Sequence, residues 1–111
     1  MTKDNFREEI AHLHANICGG LADPIRILIL YALANSPSNV GELAESLSLP
    51  QPTTSRHLKQ LRERGLVIAK RDGLFVNYRL ADARIIEALD LLRTILSDSL
   101  AYRANLIENK A

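Results

Sequence analysis

The densest chemistry in this 111-residue chain lies in one short stretch. Gln51, Thr53, Thr54, Ser55, Arg56 and His57 bring donors and acceptors together within seven residues, and Lys59 and Arg62 follow. A Gln carboxamide can pair with adenine, an Arg guanidinium with guanine, and a Thr methyl can pack on that of thymine. Lys59 and Arg62 have the reach and charge for phosphates. A second group, Lys70, Arg71 and Gly73, lies a few residues further on. From Gln51 to Arg79 there are seven bases against two acids, Glu63 and Asp72, so this block carries +5 in a chain of net charge +1. A local basic block on a near-neutral chain suits a polyanion such as double-stranded DNA. The same charges also fit a merely solvated helix face.

His14 and Cys18 form a weaker pair. Four residues apart on a helix, they share one face. An imidazole and a thiolate can share a metal ion if further ligands join them. Cys18 alone can sense oxidants or persulfide if its thiolate is populated. It can equally be a small buried hydrophobe beside Leu13 and Ile17. One cysteine makes no internal disulfide, and with three histidines it makes no cysteine-rich zinc finger. No nucleophile–base pairing, glycine-rich phosphate loop or paired carboxylates stand out, so the sequence points away from an enzyme and implies no cofactor.

The elements that must position these groups can be read from periodicity. Phe6, Ile10, Leu13 and Ile17 mark one face of a first helix, about Asp4 to Ile17, with Gly19-Gly20 as its break. Asp23 and Pro24 suit the cap and first position of a second helix, whose apolar residues nearly surround it, as in a buried central helix. The run Asn35 to Asn39 reads as a turn. Asn39 and Glu42 form a capping box for a short helix, Val40 to Leu47. After Ser48-Leu49-Pro50 comes a helix from Gln51 to Arg64, ended by Gly65. From Leu66 the period becomes two, and Asp72-Gly73 reads as the turn of a β-hairpin reaching Leu80. Asp82 caps a last helix running to about Glu108.

This order predicts a mostly α fold with a small β-hairpin wing, α1-α2-α3-α4-β-β-α5. It is one domain over residues 1–111, with a helix-turn-helix at 40–64 and a wing at 66–80. The second helix of the pair is the recognition helix, and the hairpin tip rests on the DNA backbone or minor groove. The last helix carries two apolar stripes, one with Ile85, Leu89, Leu92 and Leu96, the other with Ile86, Leu91 and Ile95. One chain needs only one of them, so residues 1–18 and 82–108 are expected to pair two chains into a homodimer. No apolar run approaches the roughly 20 residues of a membrane span. Met1 is followed by polar residues rather than a leader-like apolar stretch, so a cytoplasmic setting is expected.

Three motifs together resemble the ArsR/SmtB family of transcriptional repressors. Leu21-Ala22-Asp23-Pro24-Ile25-Arg26-Ile27-Leu28 is similar to that family's opening motif. The run from Gln51 to Leu61 is similar to its recognition helix. Gly65-Leu66-Val67 and Tyr78-Arg79-Leu80 are similar to parts of its wing. The resemblance spans about residues 20 to 96. It implies a dimeric winged helix that binds a palindromic operator and releases it when an effector arrives. A thiol-responsive repressor using Cys18, or a winged-helix protein-interaction module, are the alternatives. Val40 to Leu47 lacks the cysteines of one familiar thiolate site. Asp82 matches the aspartate of another, but Arg84 and Ile95 stand where its histidines are expected, so the resemblance implies no standard metal site. Pro50 stands where a capping Ser is usual.

Overall fold

The computed structural model describes residues 3–109; Met1 and Thr2 of the expected first segment lie outside that range, as do Lys110 and Ala111. Helix α1 spans Lys3–Leu21. It is α-helical over Lys3–His12, widens to a π-helix over Leu13–Cys18 and closes with an α-turn at Gly19–Leu21. Gly19 and Gly20 were expected to end the helix before this point, but α1 runs through both. The reason is tertiary: Gly20 is buried, and a Cβ there would lie 2.4 Å from Cδ1 of Leu66. A hydrogen atom at position 20 lets the end of α1 approach the start of the wing.

Helix α2 (Pro24–Asn35) leaves α1 at 83°. Its start is built as the sequence implies, with Asp23 Oδ1 accepting from the Ile25 amide at 2.8 Å and Pro24 in the first turn. Strand β1 (Ser38–Asn39) follows within a stretch expected to be only a turn. Helix α3 (Val40–Leu47) has the full capping box: the Glu42 amide donates to Asn39 Oδ1, and the Asn39 amide donates to Glu42 Oε1. Ser48 takes a left-handed conformation at φ 55°, and the Leu49 amide bonds the Ala44 carbonyl, which turns the chain sharply. Helix α4 (Gln51–Glu63) comes next. Gly65 at φ 77° ends it, with the Leu66 amide donating to the Leu61 carbonyl.

Strands β2 (Val67–Asp72) and β3 (Phe75–Leu80) form the antiparallel hairpin. Asp72 pairs with Phe75, so the two-residue turn is Gly73-Leu74, one residue later than Asp72-Gly73. Gly73 supplies the positive φ at the first central position. Strand β1 pairs with the other side of β3, giving the order β1-β3-β2. Helix α5 (Arg84–Asn109) ends the described chain.

One core holds these parts together. Ile29, Leu30 and Leu33 of α2 meet Leu43 of α3, Leu58 and Leu61 of α4, Leu66, Val67 and Leu89. That packing fixes α3 and α4 against the central helix. Only the beginning of α5 joins in: Ile85 and Ile86 are half-buried and Leu89 is buried, while every residue from Asp90 to Glu108 is exposed. Helix α1 is exposed from Lys3 to Cys18. The tie between α2 and α5 is the Tyr31 hydroxyl, donating to Asp90 Oδ1 at 2.6 Å, with the Arg93 guanidinium 5.3 Å above the Tyr31 ring. No single helix among the described residues is long and apolar enough to cross a membrane.

Candidate nucleic-acid interface

Helix α4 divides its residues by face. Thr54, His57, Leu58 and Leu61 recur at helical spacing and are buried. Gln51, Ser55, Arg56, Lys59 and Arg62 are exposed, and Thr53 is half-exposed. The expected base-reading groups therefore line one open face, held by a core on the other.

Two members of the expected set belong elsewhere. Thr54 is fully buried, and its hydroxyl donates to the Pro50 carbonyl at 3.1 Å. The same carbonyl accepts from the Thr54 amide, so the hydroxyl is satisfied within the first turn of α4, whose N-cap, Pro50, has no side-chain capping bond. His57 is only 7% exposed, with Nδ1 3.4 Å from Nη1 of Arg26. Both side chains face the core rather than the open face of α4. Their polar types suggested the surface; their spacing, shared with Leu58 and Leu61, gave the inward face.

Arg64 also leaves the basic surface. It hydrogen-bonds Gln60 through the side-chain oxygen and the carbonyl, and lies against Gly19 of α1. Arg26 makes the complementary bond from the other direction, donating to the carbonyls of Gly20 at 2.9 Å and Gly19 at 3.0 Å. These carbonyls end α1, where cations are favoured. Asp23 sits beside this cluster. Burial opposes its ionisation, but the Ile25 amide, His57 and Arg26 outweigh it and hold the carboxyl below its ordinary value.

In the wing, neighbours on a strand point to opposite faces. Val67, Ala69 and Arg71 share one face with Val76, Tyr78 and Leu80; Ile68, Lys70 and Asp72 share the other with Phe75, Asn77 and Arg79. Val67 is buried and Tyr78 half-buried, which marks the first set as the face toward the helices. Arg71 extends that face outward, and Lys70 lies on the opposite one. Tyr78 borders a recess of about 350 Å³ together with Ser55, Lys59, Arg62 and Glu63. The sequence marked Tyr78 as part of the wing but not as a neighbour of α4, because that placement depends on the wing folding back. Gly73 shapes the tip through its backbone.

The effector candidates are less organised. His14 and Cys18 are both exposed in the π-helical part of α1. The buried-hydrophobe reading of Cys18 is thus not met within one chain. Among the described residues no three His, Cys, Asp or Glu side chains gather as a metal site. Asp82 does bind a cation, but an internal one. Hydrogen bonds from the Arg84 side chain and amide draw its pKa from 3.8 to about 2.

Comparison with known proteins agrees with this architecture. The sequence profile of the bacterial regulatory protein, arsR family, matches residues 23–69. The chain is 34% identical over 95 residues to the biofilm growth-associated repressor of Xylella fastidiosa, covering 86% of this chain and 82% of the relative. It is 43% identical over 74 residues to the HTH-type transcriptional repressor SmtB of Mycobacterium tuberculosis, covering 67% of this chain and 55% of that protein. The solved homodimeric winged helix-turn-helix DNA-binding domain of Mb0332 from Mycobacterium bovis superposes with a TM-score of 0.78 at 26% identity, over 91% of this chain and 93% of that one. The mostly helical fold with its hairpin wing, the polar outer face of α4 and these relatives converge: the chain belongs to the ArsR family of DNA-binding transcriptional repressors, a family of regulators and not of enzymes.

Proposed function

We propose that this chain acts as a homodimer that represses transcription from an imperfect palindromic operator in the cytoplasm. The observation that carries the reading is the division of α4, with its inner face seated in the core and Gln51, Ser55, Arg56, Lys59 and Arg62 on the open face. Gln51, Thr53, Ser55 and Arg56 near the N-terminal end read base edges; Lys59 and Arg62 hold phosphates. Lys70, Arg71 and the Gly73 turn bring the wing onto the neighbouring backbone.

Dimerisation is supported by surface that one chain leaves open. Phe6, Ile10, Leu13 and Ile17 of α1 are exposed, as are Leu92, Leu96 and Leu100 of α5. Between the two helices lies a groove of about 790 Å³, lined by Leu13, Ile17, Leu66, Ile85 and Ala88. A second copy can fill this groove and cover both apolar faces. Two copies then present two α4 helices to half-sites about one DNA turn, or a multiple of it, apart.

The test is selection of duplexes from a random pool, followed by binding across a salt series and sedimentation of the free protein. A recurring palindromic site, steep salt dependence and twice the chain mass are expected. A monomer, or a pool with no enriched site, would overturn the reading in favour of a protein-interaction module.

The exposure of Cys18 favours a second reading for release. In it, oxidation or persulfidation of the thiol lowers DNA affinity in the wild type but not in Cys18→Ser. Equal responses of the two proteins would leave the thiol without a part in release.

A further inference from the structure

The tip of the wing is more apolar than its position in the chain calls for. Leu74 is 94% exposed and Phe75 61% exposed, side by side at the end of the hairpin. A tip that only touched solvent or phosphates would gain nothing from a Leu and a Phe there. The flanking charges say what lies opposite: Lys70, Arg71 and Arg79 outnumber Asp72 on these two strands, and all of them are exposed. The surface is apolar at its end and basic along its sides.

We infer that Leu74 and Phe75 enter the minor groove of the bound duplex as a wedge, partly unstack one base step and bend the DNA. This rests on the DNA-binding reading above and goes beyond it, since a wing lying on the backbone needs no apolar tip. Apolar side chains that enter the minor groove part the bases and kink the duplex toward the major groove. The basic strands supply phosphate contacts on either side.

Reach supports the assignment. The hairpin strands are six residues each, and β2 starts four residues after the end of α4. At about 3.3 Å per residue the wing projects roughly 20 Å. Half a DNA turn is roughly 17 Å, which is the step from a major groove to the next minor groove. A wing beginning beside a helix in the major groove therefore ends over the minor groove. The two-residue turn keeps the tip narrow, and Gly73 at φ 63° places Leu74 at the apex.

The experiment uses the full chain and a duplex it has selected from a random pool. 2-Aminopurine is placed at successive steps about half a turn from each half-site centre, and bending is read from the mobility of circularly permuted fragments. The wild type should raise fluorescence at one step per half-site and bend the duplex by at least about 20°. Leu74→Ser with Phe75→Ser should remove the fluorescence change, reduce the bend and weaken binding roughly tenfold, with the salt slope unchanged. Both side chains are exposed, so the variant should retain the wild-type circular dichroism and melting temperature. Arg71→Gln should show the opposite pattern, a flatter salt slope with the fluorescence change retained. A selected duplex that stays straight and stacked with the wild type, or is bent equally by the double variant, overturns the wedge alone and turns the apolar tip toward a protein partner. A pool that yields no duplex overturns the DNA-binding reading together with the wedge.

Discussion

Arg26 Nη1 stands 3.4 Å from His57 Nδ1, and the same guanidinium donates through Nε and Nη2 to the last carbonyls of α1. One side chain of α2 thereby joins the end of the first helix to the buried face of α4. The orientation of α4 is set by this polar bracket as well as by Leu58 and Leu61. Arg26→Ala should lower unfolding stability by about 2 kcal/mol in urea titrations, because two backbone carbonyls lose a charged donor. Arg26→Lys should recover little, since an ammonium lacks the planar fork that spans these acceptors. Full stability in the lysine variant would show that charge alone suffices.

Gly20 makes a different demand. Its missing Cβ is the space taken by Leu66, at 2.4 Å from the position a methyl would occupy. Gly20→Ala should therefore cost about 1–3 kcal/mol through overpacking, despite the better helix propensity of alanine. Leu66→Val should return part of that loss in the double variant. Thermal melts of the four proteins measure the coupling. Additive losses would mean that the two positions do not press on each other.

The outer face of α4 and the wing should separate in binding experiments. Arg56→Ala and Gln51→Ala should relax base preference at one position each, at about 1–3 kcal/mol per lost contact. Arg71→Ala should weaken all duplexes alike and lower the salt slope by about one unit. His57→Gln, a change on the buried face, should alter stability more than base preference. A switch in base preference with His57→Gln would return that residue to the DNA surface.

Asp82 offers a pH test. Its carboxyl is held at about 2 by hydrogen bonds from Arg84, against 3.8 when free. A depressed carboxylate stabilises the fold above its unfolded pKa, and that contribution is lost as pH falls from 3.8 towards about 2. Side-chain NMR of Asp82 should show the low midpoint in the wild type and a rise toward the free value in Arg84→Ala. An unchanged midpoint would remove Arg84 as the cause.

Local signals were legible in the sequence and distant ones were not. Asp23-Pro24, the Asn39–Glu42 box and Gly65 act within a few residues of themselves, and each helix boundary they mark is found in place. Strand β1 depends on β3, almost forty residues away, so Ser38-Asn39 looked like turn alone. Gly19-Gly20 looked like a break because nothing nearby discloses Leu66. The open face of α4, with Gln51, Ser55, Arg56, Lys59 and Arg62, was legible from residue type and helical spacing together. Thr54 and His57 are polar by type but share the helical spacing of Leu58 and Leu61, which turns both inward.

The order β1-β3-β2 leaves β2 as an outer strand, with one row of backbone donors and acceptors unpaired. Such a row is a template on which another molecule's strand can add, and charged side chains are a common guard against it. Lys70, Arg71 and Asp72 occupy the distal half of that strand. The charges suited to DNA thus also keep free molecules from joining sheet to sheet into aggregates. Neutralising Lys70 and Arg71 together would weaken DNA binding and unguard the strand at once, so insolubility could masquerade as lost affinity. Reversing both to glutamate removes the attraction to phosphate while the strand stays charged and protected.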